Sequence, residues 1–202
     1  MRKGRSGAGL MFLACFVLIS IGCAAIPEVR VDYTIPQARK EYESRKISLS
    51  VRDVRKDRDL LSASARNELK NFGGSLYLSV AEQGKKGFMI GLFQPPELIR
   101  EAFERRLSSM GMVVLEGDEN GAARLEILLE EFLLDVVDRN WVVSIGYKAV
   151  MRTPAGRVHS QSVSGQAQRL KFVGTDQLND ALSEIFTDLV NRLDTAHIGN
   201  EQ

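Results

Sequence analysis

The sequence predicts an α+β domain, two helices packed on one face of an antiparallel sheet, behind a signal peptide that is cut away. Three observations predict it. Residues 46–54, 75–81 and 141–151 read as strands, the first with clear period-two alternation. The segments opening at Pro95 and after Thr175 instead repeat apolar residues every three or four positions, as one-sided helices do. The first nine residues carry Arg2, Lys3 and Arg5 with no acid, and then lead into the apolar run Leu10–Ile21.

Taken in order, Glu28–Ile35 sets Val29, Val31, Tyr33 and Ile35 on one side of a short strand bracketed by Pro27 and Pro36. Gln37–Lys46 is almost wholly polar, so residues 23–46 read as a tether holding that one strand. Ile47, Leu49 and Val51 share a face of the next strand, and Asp53–Asp59 reads as a solvated charged loop. Ser62–Asn71 is weakly helical or irregular. Strands follow at Ser75–Ala81 and Phe88–Phe93 across the turn Gly84–Gly87.

Pro95-Pro96 opens a helix, because proline is tolerated where the first amides have no partner, and Glu97 suits the positive end of the dipole. Its stripe is Leu98, Ile99, Ala102, Phe103 and Leu107, with Gly111 as the C-cap. Arg124–Val137 fits a period of 3.6 and also a period of two whose phase slips at Glu130-Glu131, as a β-bulge would make it. The short Asp138–Asn140 link into Trp141–Met151 favours a hairpin and hence a strand. Thr153–Gly156 turns the chain into Arg157–Arg169. Thr175 is placed to cap the last helix through its hydroxyl, ahead of the stripe Leu178, Ala181, Leu182, Ile185, Phe186, Leu189 and Leu193.

At 44% hydrophobic and 26% charged residues, the composition is that of a folded domain. Without residues 1–22, 24 basic side chains face 26 acidic ones. Such a balance gives no electrostatic case for nucleic-acid binding, which needs a basic surface to displace counterions, and no nucleic-acid partner is expected.

The apolar run is short for a spanning helix, which needs about 20 residues, and fits the core of a secretory signal. Ile21-Gly22-Cys23-Ala24 resembles the lipobox of bacterial lipoproteins, with Ser20 standing where leucine is usual. The resemblance implies diacylglycerol on the Cys23 thiol and cleavage between Gly22 and Cys23. Removal of the signal leaves Cys23 as the only cysteine, so no internal disulfide can form. Ala24, where aspartate would retain the chain at the inner membrane, implies the outer membrane, facing the periplasm.

The segments Leu98–Leu107 into Met110–Val114, Leu125–Leu129, Tyr147–Val150 and Asn179–Leu189 together resemble the YajG family of uncharacterised bacterial lipoproteins. The likeness supports the strand reading of residues 124–137, and the chain departs from it around Phe72–Lys86. Auxiliary lipoproteins of ABC-type lipid transporters share a similar layout. The expected organisation is a signal peptide at 1–22, a lipidated tether at 23–46, a YajG-like domain at 47–195 and a tail at 196–202.

No catalytic residue, metal site or cofactor is expected. His159 and His197 lack metal-ligand spacing, Val163-Ser164-Gly165 lacks the first glycine of a nucleophile elbow, and Glu126, Glu130 and Glu131 read as a wet strand face. Trp141 reads as core. The expected function is non-enzymatic: a membrane-anchored lipoprotein with an envelope protein partner in an assembly or accessory role. The alternative is a lipid- or cell-wall-binding module with a groove lined by Phe103, Phe132 and Phe186.

Overall fold

A computed structural model describes residues 26–37, 42–117 and 121–194 of the chain. The elements, in chain order, are β1 (Arg30–Ile35), β2 (Lys46–Asp53), α1 (Ala63–Glu68), β3 (Leu76–Glu82), β4 (Phe88–Phe93), α2 (Pro95–Ser109), β5 (Val113–Leu115), β6 (Ala123–Val137), β7 (Asn140–Arg152), β8 (Val158–Leu170) and α3 (Asp176–Asn191). The strands form two sheets, of order β1-β3-β4 and β5-β2-β6-β7-β8.

Two expectations are corrected here. The sheet is not purely antiparallel: β1 pairs in parallel with β3, and β2 in parallel with both β5 and β6. A period of two is the same in either orientation; only the connections differ. The hairpins β3–β4 and β6–β7–β8 are antiparallel, as read. A third helix, the single turn and a half of α1, joins the two long ones.

Register assigns the faces of the large sheet. Leu49, Leu125, Ile127, Val143, Tyr147 and Val163 lie on one side, buried against α2 and α3. Ser50, Arg52, Glu126, Lys148 and Ser162 lie on the other, where Arg52 Nε meets Glu126 at 2.6 Å. At Gly165 α3 comes so close that a Cβ would sit 2.6 Å from Ile185 Cδ1, so a larger residue would force the Ile185 side chain to shift. Gly111 ends α2 with φ +90°, a conformation that glycine adopts at no steric cost.

The expected bulge is present: the β6–β7 register slips between Leu129 and Glu131. β2 stops there, opposite Leu129, and the chain rejoins β6 beyond the slip, where Leu134 N–H donates to Leu60 O and Ser62 N–H to Leu134 O. The loop between is less solvated than its charge run implies. Arg55 turns inward, gripping Asp53 with Nε and Nη2 (2.9 and 2.8 Å) and donating through Nη1 to Phe132 O. That grip holds the Asp53 carboxyl below the usual carboxylate range.

Within the segment read as a tether, Val29, Val31 and Tyr33 are wholly buried, and β1 is part of the core. The departure around Phe72–Lys86 contains β3, which completes the small sheet with β1 and β4.

Candidate functional site

The small sheet has two edges, and the sequence treats them differently. β1 presents its outer edge to α3, along which Thr175, Asn179, Ser183, Thr187 and Asn191 recur every fourth residue. Four helical residues rise about 6.0 Å and two strand residues about 6.6 Å, so a side chain at every fourth position meets every second amide. Arg30 N–H donates to Asn179 Oδ1 (2.9 Å), Asp32 N–H to Ser183 Oγ (2.8 Å) and Thr34 N–H to Thr187 Oγ1 (3.2 Å). Thr175 Oγ1 donates to Glu28 O and Asn191 Nδ2 to Thr34 O, both at 3.1 Å. The expected cap is therefore corrected: Thr175 is the N-cap residue, but its hydroxyl serves Glu28, two residues before β1, and not its own helix.

The far end of α3 is fixed from α2 and β7. Arg106, buried on α2, donates to Val190 O and, at 2.8 Å, to Leu193 O; Tyr147 Oη donates to Leu189 O at 2.8 Å. A cation at a helix C-terminus satisfies carbonyls that have no intrahelical donor. Burial pulls the Arg106 guanidinium below its ordinary pKa and pushes the phenols of Tyr33 and Tyr147 up.

β4 is the opposite case. Its sequence Phe-Met-Ile-Gly-Leu-Phe holds no charge, and among the described residues its outer edge has no strand or hydrogen-bonding partner. Phe88 is 60% exposed and Leu92 53%, with Met89 also exposed. An uncharged edge strand with apolar side chains in solvent is a template for pairing with another chain. The other free edges differ. β5 has only three residues, and β8 is long but lined with serine and glutamine.

The residues singled out in the sequence are dispersed. Cys23, Gly22 and His197 lie outside the described residues. His159 borders an open cavity of about 250 Å³ with Met151, Gln161 and Leu193. Glu126 is paired with Arg52, and Glu130 and Glu131 stand at the bulge beside Val54 and Lys56. Among the described residues no three His, Cys, Asp or Glu side chains converge as metal ligands, and no helix is long and apolar enough to cross a membrane. Trp141 is core, and its indole Nε1 has no acceptor among the described residues. The proposed groove phenylalanines are in the closed core: Phe103 stacks edge-on against Tyr147 at 5.4 Å and Phe186 against Tyr33 at 6.0 Å. Sequence reasoning missed both the α3 ladder, visible as short polar residues at a spacing of four, and the β4 edge, visible as a chargeless strand.

No family model and no curated protein sequence matches the chain. Solved structures do resemble it. A Xanthomonas campestris protein of the DUF330 family is 17% identical, with 86% of this chain and 91% of that one covered and a TM-score of 0.46. Rare lipoprotein B of Shewanella oneidensis is 10% identical, covering 73% and 89%, with a TM-score of 0.38. A minor lipoprotein of Acinetobacter baumannii is 9% identical, covering 73% and 86%, also at 0.38. Each similarity is too remote for its name to pass to this chain.

Proposed function

We propose that this chain is a non-enzymatic lipoprotein, held by acyl chains on Cys23 at the outer membrane and facing the periplasm, which works by pairing its β4 edge with an envelope protein. The observation that carries the reading is the open edge itself. A chain that sets five side chains along β1 and the residue leading into it leaves β4 chargeless, apolar and, among the described residues, uncovered. A partner strand laid along β4 would gain main-chain hydrogen bonds, with Phe88, Met89 and Leu92 supplying the apolar contact. Lys86, just before β4, is a flanking charge of the kind that opposes uncontrolled pairing of such a strand, while Lys85 pairs with Glu82.

A photo-crosslinking residue at Met89 tests this in intact cells. The expected result is one discrete adduct that Leu92→Lys abolishes and that a crosslinker at Ala155, on the β7–β8 turn, does not form. No adduct at Met89, or the same adducts at both positions, overturns the pairing. The anchor is tested separately: labelled palmitate enters the wild type and not Cys23→Ala.

A further inference from the structure

The geometry points to a second contact with the bilayer: the Lys171–Gly174 loop inserts Phe172 and Val173 into the membrane surface beside the anchor. The inference rests on the reading of Cys23 as the lipid carrier. Val173 is 99% exposed and Phe172 62%. Burying two such side chains in lipid removes apolar area from water that no described residue covers. Ile26, 69% exposed, joins them, because Glu28 O accepts from Thr175, the residue that follows the loop. Leu170 and Val137 are exposed at the same end, since Leu170 pairs with Asn140 across the β7–β8 ladder and Lys171 N–H donates to Arg139 O at the hairpin tip. Five of the eleven large apolar side chains that the described surface exposes therefore gather at one end of the molecule.

The anchor selects lipid as their occupant. Cys23 precedes Ile26 by three residues, a reach of at most about 11 Å even when fully extended. Because β1 is bound into the core from Val29 onward, no long tether separates the acyl chains from the body. The bilayer thus lies within a short reach of Ile26, on the face where the loop projects. A strand-pairing partner is a poorer fit, because the loop offers no strand edge. Its ionic groups also balance locally: Lys171 Nζ meets Glu68 at 2.5 Å, and Arg139 follows Asp138. Insertion is then driven by apolar burial, and zwitterionic lipid suffices.

The test uses the full acylated chain, purified from membranes and reconstituted in phosphatidylcholine vesicles, with Val173→Cys carrying a nitrobenzoxadiazole probe. With Cys23 acylated, the new thiol is the only one available. Ala155→Cys is the control; β8 alone separates the two sites by about 40 Å. The expected result is a several-fold brighter, blue-shifted probe at 173, quenched by nitroxide lipids, and an unchanged probe at 155. Equal, water-like signals at both sites in a chain whose mass shows acylated Cys23 overturn the insertion and leave the anchor standing. An unmodified Cys23 overturns the anchor and the insertion with it. Protection of 173 in native membranes but not in vesicles assigns the loop to a protein and overturns the lipid occupant. The pair Phe172→Ser and Val173→Ser keeps the wild-type denaturation midpoint if the loop serves the membrane and not the fold.

Discussion

Along β1, Asn179, Ser183, Thr187 and Asn191 of α3, with its N-cap Thr175, take up backbone groups of the outer strand and of Glu28 just before it, whereas along β4, two strands away, the same sheet ends in backbone with no partner among the described residues and in exposed Phe88, Met89 and Leu92. The difference shows that closing an edge is costly and is done selectively. Asn, Ser and Thr are each about 0.5 kcal/mol poorer than Ala inside a helix. Setting Asn179, Ser183 and Thr187 in the middle of α3 therefore weakens the helix by about 1.5 kcal/mol, which about 1 kcal/mol for each hydrogen bond must offset. Among the described residues the β4 edge has no such device.

The most disruptive way to break the comparison is to release the far end of α3. Arg106→Met strips donors from Val190 O and Leu193 O, and each buried carbonyl left without a partner costs about 1–3 kcal/mol. A loss of about 3 kcal/mol is expected, read as a lower urea midpoint. Alkali probes the same region. The Tyr33 and Tyr147 phenols are pushed up in the fold, while in the unfolded chain they ionise near pH 10. The stability they confer is whole below about pH 10 and falls as pH rises beyond it, since only the unfolded state then releases protons. Midpoints at pH 9 and pH 11 should differ in the wild type, and differ less in Tyr33→Phe with Tyr147→Phe.

A milder break opens β1 directly. The triple variant Asn179→Ala, Ser183→Ala and Thr187→Ala loses three hydrogen bonds from β1 amides and the longer one from Thr187 Oγ1 to Asp32 O but gains helix propensity, so the net loss is about 1–2 kcal/mol. The sheet then has two open edges, and sedimentation should show self-association that the wild-type β1 edge does not support.

Much of this architecture was legible in the sequence. The bulge could be read because two adjacent glutamates interrupt an alternating run, and the stripes of α2 and α3 because burial imposes a 3.6 period. Strand direction was not legible: Ile47, Leu49 and Val51 alternate in the same way whether β6 runs with them or against them. The ladder on α3 was visible but had no readable meaning, since its partner strand lies about 150 residues upstream and short polar residues at a spacing of four look like a solvated face. Arg55 fails for a related reason. Inside a charged run nothing marks the one side chain that turns inward to fill the gap at a bulge. The β4 edge was read as a strand, but whether an apolar strand lies at the centre or the margin of a sheet depends on neighbours that its own six residues do not encode.

The smallest effect on stability is also the sharpest test of the open edge. Leu92 faces solvent opposite Tyr77, on a strand whose outer side has no neighbour among the described residues. Leu92→Lys there removes little buried area and should leave the midpoint within about 0.5 kcal/mol of wild type. A lysine on an edge strand nevertheless opposes pairing, because a partner strand would have to desolvate the ammonium or steer around it. The two readouts should therefore separate: stability unchanged, adduct at Met89 lost. In the triple variant of α3 the same substitution should leave the new association through β1 intact, since that edge lies on the other side of β3. A substitution that silences β4 without touching β1 would show that the two edges act independently. Loss of both together would mean that the sheet itself had come apart, and the stability measurement would register it.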